Sequence, residues 1–270
     1  MPADARIDTQ TSLHFRRAAQ LSRNIISTAV FLWQRSRIVS YPSSGRTWLR
    51  VMLAELGTHP HFTHASSRFR SGATPESVAS DIQEHHHRRV LFLLRDPKDT
   101  LASNYNHVTR RHNWQGDFKT FVRTECYGFE RMLAFHTGWL SAHARFKRGF
   151  RVETYEALHA DTAGTLKRIV NFLCTPGIPM EEIQAVAARN QFEEMRRREV
   201  SGELTAQYAG RFGGCDPNDP LARRVRRGRV GGHAEDMDAE DLAYCDALLA
   251  KYNYASLIAD VLRQQEARPT

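Results

Sequence analysis

An uninterrupted apolar run at residues 90–94 (VLFLL) constrains the fold more than any other segment of the sequence. A strand with apolar side chains on both faces is typical of a parallel sheet that helices cover on both sides. The run ends at Arg95, and shorter strands are predicted at 38–41 and 150–155. Because helical patterns separate these strands, the sequence predicts an α/β fold with a central, mostly parallel sheet flanked by helices.

Helix-start signals support this alternation. Asp96 is the predicted N-cap of the helix that follows the apolar run, with Pro97 at its first position. Other helical patterns begin at Thr47 and extend over 162–173 and 239–262.

Changes in composition divide the chain. Residues 1–36 are predicted to be a polar segment plus an amphipathic helix, 37–262 the main domain, and 263–270 a tail. Within the main domain, residues 196–232 are rich in Arg and Gly and are predicted to be irregular. The first helix is expected to pack on the domain, and peripheral membrane contact is the alternative. No apolar run approaches the roughly 20 residues of a spanning helix, so the expected location is cytoplasmic.

The charge of the chain favours an anionic ligand. The 270 residues carry a net charge of +8, and only five of the 38 basic residues are Lys. Guanidinium groups bind phosphate through paired hydrogen bonds, although a solvated basic surface has the same composition. The four cysteines are far apart and are predicted to be reduced thiols, and no metal site is expected.

Residues 41–48 (YPSSGRTW) form a predicted strand–turn–helix junction. Small residues here let consecutive backbone N–H groups point at one spot, and the helix dipole adds positive potential. The segment therefore predicts an anion site of phosphate type. It lacks the GxxxxGK[ST] pattern, and no Lys precedes Lys98, which argues against an ordinary nucleoside-triphosphate kinase or ATPase.

Two later segments suggest further anion contacts. Arg95 lies at the carboxyl end of its strand, where open α/β folds bind ligands, and Ser103 follows it by eight residues. Pairing of Arg95 with Asp99 is the purely structural alternative. Residues 226–232 (RRGRVGG) combine basic side chains with flexible glycines and could close over a phosphate.

In this order, the three segments resemble those of the PAPS-dependent sulfotransferases, including bacterial and cytosolic members. The family loop typically reads YPKSGTTW, its RNPKD element is followed by a Ser eight residues after the Arg, and its late strap reads RKGxxG. A Tyr-Glu pair after a strand (Tyr155 here) and an aromatic segment (Phe192 here) resemble further family elements. The resemblance covers about residues 38–250 and implies a P-loop-like three-layer domain.

The resemblance also implies a donor, PAPS (3′-phosphoadenosine 5′-phosphosulfate), and a co-product, adenosine 3′,5′-bisphosphate. The loop would hold the 5′-phosphosulfate, the aromatic residues would contact adenine, and Arg95, Ser103 and the strap would hold the 3′-phosphate. The implied cofactor-binding residues are Ser43, Ser44, Gly45, Arg46, Thr47, Trp48, Arg95, Ser103, Tyr155, Phe192, Arg226, Arg227 and Gly228.

Sulfuryl transfer to a hydroxyl or amine needs a general base, and His suits neutral pH. In the resembled family the base lies between the two phosphate segments, often in a Thr-His step, so His64 is the predicted base. His59, His61 and the run 85–87 are the competitors, and a structural role for His64 is the alternative.

The loop departs from the family pattern at Ser43, where Lys usually contacts the transferring group. We expect Arg46 to supply that charge and thus to be catalytic. The alternatives are a nucleotide-binding protein with weak or no sulfotransferase activity and an atypical small-molecule kinase. A nucleic-acid-binding module based on the Arg-rich segment lacks any recognised signature, so no nucleic acid partner is expected. The acceptor is expected to be a small molecule, saccharide or lipid.

Overall fold

The computed structural model describes residues 35–65, 74–111, 114–175, 177–208 and 228–267, together with Phe212, Asp219 and 223–225. The predicted N-terminal amphipathic helix, Arg226 and Arg227 lie outside the described residues. None of the described helices is long and apolar enough to cross a membrane.

Strands and helices alternate in the first part of the chain. The strands are β1 Ser36–Val39, β2 His61–Thr63, β3 Arg89–Leu94 and β4 Phe150–Thr154. The helices up to the end of β4 are α1 Arg46–Glu55, α2 Pro75–Asp81, α3 Pro97–Arg111, α4 Phe118–Arg123 and α5 Phe129–Ser141. Those after β4 are α6 Tyr155–Ala160, α7 Thr162–Phe172, α8 Met180–Arg189, α9 Phe192–Val200, α10 Glu203–Gln207, α11 Ala239–Lys251 and α12 Tyr254–Glu266.

The described sheet has four parallel strands in the order β2-β1-β3-β4. Successive side chains of β3 point to opposite faces, so that Phe92 belongs to one core and Leu91 to the other. The first core packs mainly against α2, α3, α5, α11 and α12, and the second against α1, α7 and α8. The predicted three-layer α/β class is confirmed.

Element boundaries differ from the sequence-based expectation in three places. β1 begins and ends two residues earlier than predicted. Tyr155 is not the last residue of a strand but the first of α6, because the Thr154 hydroxyl accepts a hydrogen bond from the Ala157 amide at 3.0 Å. The predicted helix 239–262 is two helices, and the second extends to Glu266.

Residues 196–207, predicted to be irregular, are largely helical instead. Arg198 of α9 is 5% exposed, and its guanidinium lies 3.1 Å from Glu55 and 2.7 Å from Glu203. A third group, the side-chain oxygen of Asn190, accepts from it at 3.2 Å. At least one arginine of the basic segment is therefore a structural ion-pair partner and not part of a solvated surface.

His136 on α5 gives the fold a predictable pH dependence. Its ring is fully buried, Nδ1 lies 2.8 Å from the Tyr254 hydroxyl, and burial lowers its pKa to about 3. The unfolded chain therefore binds a proton near pH 6.5 that the native state does not bind until about pH 3. The stability that depends on a neutral His136 is fully present above pH 6.5, the pKa of this side chain in the unfolded chain. It is lost as the pH falls from there toward about 3.

We expect the free energy of unfolding of the wild type to fall between pH 7 and pH 5 by about 2 kcal/mol more than that of a His136→Gln variant. Urea unfolding at the two pH values measures the difference. His87→Gln, which changes an exposed histidine, should keep the wild-type pH dependence. Equal losses in the wild type and His136→Gln would contradict the assignment.

Candidate functional site

The strand register brings the predicted site residues to one edge of the sheet. Val39 pairs with Thr63, and Leu94 pairs with Thr154. The residues that follow these strands are the 42–45 loop, His64, Arg95 and Tyr155. Since parallel neighbours lie about 4.8 Å apart, these groups form a row along the carboxyl edge. β1, whose neighbours β2 and β3 come later in the chain on opposite sides, marks the switch point where such sheets bind ligands.

The loop after β1 has a conformation suited to binding an anion. Ser43 and Gly45 both have left-handed backbone, with φ of 68° and 86°. α1 then begins at Arg46 without a side-chain cap, so its first amides are not used by a capping group. The Ser44 hydroxyl is fully buried and has no hydrogen-bond partner in the described part of the chain. Backbone amides at an uncapped helix start are an established geometry for phosphate-type ligands.

Position 45 requires glycine because the loop backbone approaches the Tyr155 ring closely. A Cβ atom there would lie 2.5 Å from Cδ2 of Tyr155, on a backbone that side-chain-bearing residues rarely adopt. We expect Gly45→Ala to displace the loop from the Tyr155 ring and to weaken binding of adenosine 3′,5′-bisphosphate by at least about tenfold, since a loss of 1.4 kcal/mol suffices. Calorimetric titration measures this change.

Gly57→Ala is the matched control for Gly45→Ala. Gly57 also has positive φ, but a Cβ there meets no atom within 4 Å. Backbone strain alone would therefore lower the stability of both variants, whereas only Gly45→Ala should lose nucleotide affinity. Equal nucleotide binding by both variants would refute the steric argument.

Arg95 connects the loop to the C-terminal strap, defined here as residues 228–233. Its Nη1 donates to the Ser43 carbonyl at 3.2 Å, and its Nη2 donates to the Arg229 carbonyl at 3.3 Å. The guanidinium carbon lies 4.4 Å from the centre of the Tyr155 ring. One side chain thus contacts the two other segments that the sequence associated with phosphate binding, the loop and the strap, and the Tyr155 ring that it associated with adenine.

Asp99 holds the strap in place. It accepts hydrogen bonds from the backbone amides of Gly231 at 2.8 Å and His233 at 2.9 Å, and from Nδ1 of His233 at 2.8 Å. Burial would raise the pKa of Asp99, but these hydrogen bonds and the charge of Arg95 keep it below its ordinary value. Its distance to Arg95 Nη2 is 3.9 Å, so the structural pairing considered from sequence exists beside the contacts of Arg95 to the loop and strap.

Aromatic rings line the cleft beside the loop. Trp48 packs edge-on against Tyr155 with ring centres 5.8 Å apart, and its indole N–H donates to the Asn190 carbonyl at 2.7 Å. A Cβ at Gly228 would lie 2.0 Å from the Phe192 ring, so the strap lies directly against that ring. These contacts make an apolar wall next to the predicted anion sites.

His64 stands at the β2 end of the row. Its Nδ1 lies 2.6 Å from the Ser40 carbonyl oxygen. Because a carbonyl can only accept, Nδ1 carries the proton and the lone pair is on Nε2. Burial, reinforced by the charge of Arg46, lowers the pKa of His64 to about 3, so the ring is neutral at pH 7.

Most of the predicted site residues line one cleft. The predicted residues that line it are Ser43, Gly45, Arg46, Thr47, Trp48, His64, Arg95, Ser103, Tyr155, Phe192 and Gly228. Ser44 is fully buried and is not among the described residues that line the cleft. None of the competing histidines (59, 61 and 85–87) is among the described residues that line the cleft. His85, for example, stacks on Trp139 instead.

The structure adds residues that sequence reasoning missed. The sequence indicates Asp99 only as a partner of Arg95, because its hydrogen bond to the Gly231 amide joins residues 132 positions apart. Asn106, His107, Arg110 and Arg111 of α3 also line the cleft. Three aromatic residues near them in the sequence, Tyr105, Trp114 and Phe118, pack against the first core and are not among the described residues that line the cleft.

Comparison with known proteins agrees with this geometry. The family model for the sulfotransferase domain matches residues 75–255. Human sulfotransferase 2A1 is 24% identical over 198 residues, which cover 61% of this chain and 67% of the human protein. Cytosolic sulfotransferase 3 of Arabidopsis thaliana is 25% identical over 54% of this chain and 54% of its own length.

The same fold occurs in solved structures. Mouse sulfotransferase SULT7A1 complexed with PAP superposes with a TM-score of 0.60 at 16% identity, covering 89% of this chain and 93% of the mouse chain. Retinol dehydratase with androsterone and inactive cofactor PAP gives a TM-score of 0.56 at 16% identity over 85% of each chain. Because the domain match extends over more than half of the sequence, the chain belongs to the sulfotransferase domain family, as its three ordered motifs predict.

Proposed function

We propose that this protein transfers a sulfuryl group from PAPS to a hydroxyl or amine of a small acceptor. The observation that carries the proposal is the convergence of the uncapped α1 start, Arg95 and His64 on one cleft. Such a transfer requires groups suited to binding anions and a base, and a neutral imidazole with its lone pair on Nε2 has the chemistry of a base. Membership of the sulfotransferase domain family supports the same chemistry.

The residues present fit a donor of this kind. The left-handed loop and the α1 amides suit the 5′-phosphosulfate, and the buried Ser44 hydroxyl has hydrogen-bonding capacity that the described residues leave unused. Arg95 and Ser103 line the cleft where the 3′-phosphate would be held. Trp48, Tyr155 and Phe192 form the apolar wall for an adenine ring.

In the proposed reaction, Nε2 of His64 takes the proton of the acceptor. A bond forms between the acceptor atom and sulfur, and the bond from sulfur to the bridging phosphate oxygen breaks. The electron pair leaves with adenosine 3′,5′-bisphosphate. The α1 amides and Arg46 offset the negative charge that accumulates on the leaving oxygen. Burial is the largest cause of the lowered His64 pKa and the charge of Arg46 the second, so an anionic donor beside Arg46 would offset only the second and raise the pKa of His64 to that extent.

Ser43 stands where the family usually has a lysine, and we propose that Arg46 supplies the positive charge of that lysine. We expect Arg46→Gln to lower kcat by about 10²-fold or more, because removing one group that stabilises transition-state charge has an effect of this size. Affinity for adenosine 3′,5′-bisphosphate should change much less. Turnover with radiolabelled PAPS and calorimetry separate the two quantities.

Arg50→Gln is the control for Arg46→Gln. Arg50 lies one turn further along α1, stacks on Phe62 at 4.2 Å and is not among the described residues that line the cleft. It should keep near-normal turnover. If Arg46→Gln retained full turnover while still binding the nucleotide, Arg46 would not be the substitute.

The function is tested in two steps. Calorimetric titration of adenosine 3′,5′-bisphosphate should give micromolar binding, and ATP should compete poorly. A screen of hydroxyl and amine compounds with radiolabelled PAPS should then find product. Nucleotide binding without transfer to any compound would favour a nucleotide-binding protein, and preference for ATP would favour a kinase.

A further inference from the structure

The end of the cleft formed by the C-terminal half of α3 is cationic. Ser103, Asn106, His107, Arg110 and Arg111 all line the cleft. Their spacing of three, four, seven and eight residues from Ser103 places them along one side of a helix. With a rise of 1.5 Å per residue, the two arginines lie about 10–12 Å along α3 from Ser103.

The charged residues in the described lining of the cleft are all basic, although Asp219 and Asp99 lie just outside it, beside Arg110 and Arg95. Its described lining includes six arginines, at positions 46, 95, 110, 111, 223 and 224, and no acidic residue. The proposed donor contacts account for Arg46 and Arg95. The lining contains four further arginines that the proposed donor contacts do not use: Arg110, Arg111, Arg223 and Arg224.

Arg110 is held in a defined orientation. Its Nε donates to Asp219 at 2.8 Å, and its Nη1 donates to the Asn106 side chain at 3.2 Å. The side chain remains 25% exposed and borders the cleft. Fixing a guanidinium in this way reduces the entropy that it loses when it binds a carboxylate, sulfate or phosphate.

We propose that the acceptor carries an anionic group besides the hydroxyl or amine that receives the sulfuryl group, and that Arg110 and Arg111 recognise it. This inference rests on the proposed function and names its acceptor class. Basic residues in a last helical turn also complement the helix dipole. That role alone predicts a loss of stability on mutation and no change in acceptor preference.

The test uses full-length protein saturated with adenosine 3′,5′-bisphosphate, so that the donor site is filled. Three matched pairs serve as probes: methyl glucoside and methyl glucuronide, N-acetylglucosamine and its 6-sulfate, and hydroxybenzyl alcohol and hydroxybenzoate. We expect the anionic member of at least one pair to bind at least tenfold more tightly than its neutral partner. In the double variant Arg110→Gln/Arg111→Gln this preference should fall at least tenfold.

Arg148→Gln is the charge-matched control, because Arg148 is exposed and outside the described lining of the cleft. It should keep the wild-type preference, and the double variant should still bind the nucleotide, which reports that it is folded. The inference is overturned if no anionic member binds better than its partner, or if the preference survives in the double variant. Failure of the wild type to bind the nucleotide at the first step would instead refute the proposed function.

Discussion

Replacing His64 by glutamine is expected to lower kcat for sulfuryl transfer by about 10²–10⁴-fold, the usual contribution of a general base. The reason is that Nε2 is the proposed proton acceptor, since Nδ1 donates to the Ser40 carbonyl at 2.6 Å. Glutamine can occupy a similar volume but cannot take up a proton. Turnover with radiolabelled PAPS and the acceptor found by the screen gives kcat, and calorimetry gives the Kd for adenosine 3′,5′-bisphosphate.

Two controls separate catalysis from folding. The nucleotide Kd of His64→Gln should stay within about threefold of wild type, because the proposed donor contacts come from the loop, Arg95 and the strap. His59→Gln, at an exposed position outside the described cleft lining, should retain full activity. Wild-type kcat in His64→Gln would exclude His64 as the base and return the role to the other histidines.

We expect Arg95→Ala to weaken binding of adenosine 3′,5′-bisphosphate by about 10²–10³-fold. A charge-assisted hydrogen bond contributes roughly 1.5–3 kcal/mol, and the variant would lose both the proposed phosphate contact and the links to the Ser43 and Arg229 carbonyls. Arg95→Lys should be intermediate, because a single ammonium cannot reproduce the two-sided guanidinium geometry. Calorimetry on each variant measures the effect.

The unfolding free energy of Arg95→Ala must be measured together with its nucleotide affinity, since Arg95 also packs on Tyr155. Arg148→Ala controls for removal of one positive charge far from the described cleft lining. The expected result is an unfolding free energy of Arg95→Ala close to that of Arg148→Ala, combined with a much weaker affinity. Nucleotide binding within threefold of wild type in Arg95→Ala would remove Arg95 from the donor site.

The segments proposed to bind phosphate could be located from the sequence because their structure is local. The apolar β3 run, the caps at Asp96 and Pro97 and the small residues of the loop each depend on neighbours in sequence. Since parallel strands end at a common edge, the alternation of strands and helices sufficed to predict that these segments converge.

The remaining features depend on distant contacts. β2 is three residues long and only half-buried, so its pattern is too short to identify a strand. In α5 nearly every residue from Phe129 to Leu140 is buried, which removes the one-sided periodicity that marks a surface helix. Arg198 and Asp99 are charged residues whose partners lie far away in the chain, so their burial cannot be read from local pattern.

The strand order has a consequence for how such an enzyme could acquire new acceptors. His64 follows β2, one of the two edge strands of the described sheet, whereas the loop and Arg95 follow the inner strands β1 and β3. An edge strand has only one neighbour, so insertions or substitutions next to it disturb fewer contacts than changes within the sheet. Laboratory evolution of acceptor range would therefore do best to diversify the positions that flank β2, apart from His64, and the C-terminal end of α3. The loop after β1 and Arg95 after β3 would be kept constant.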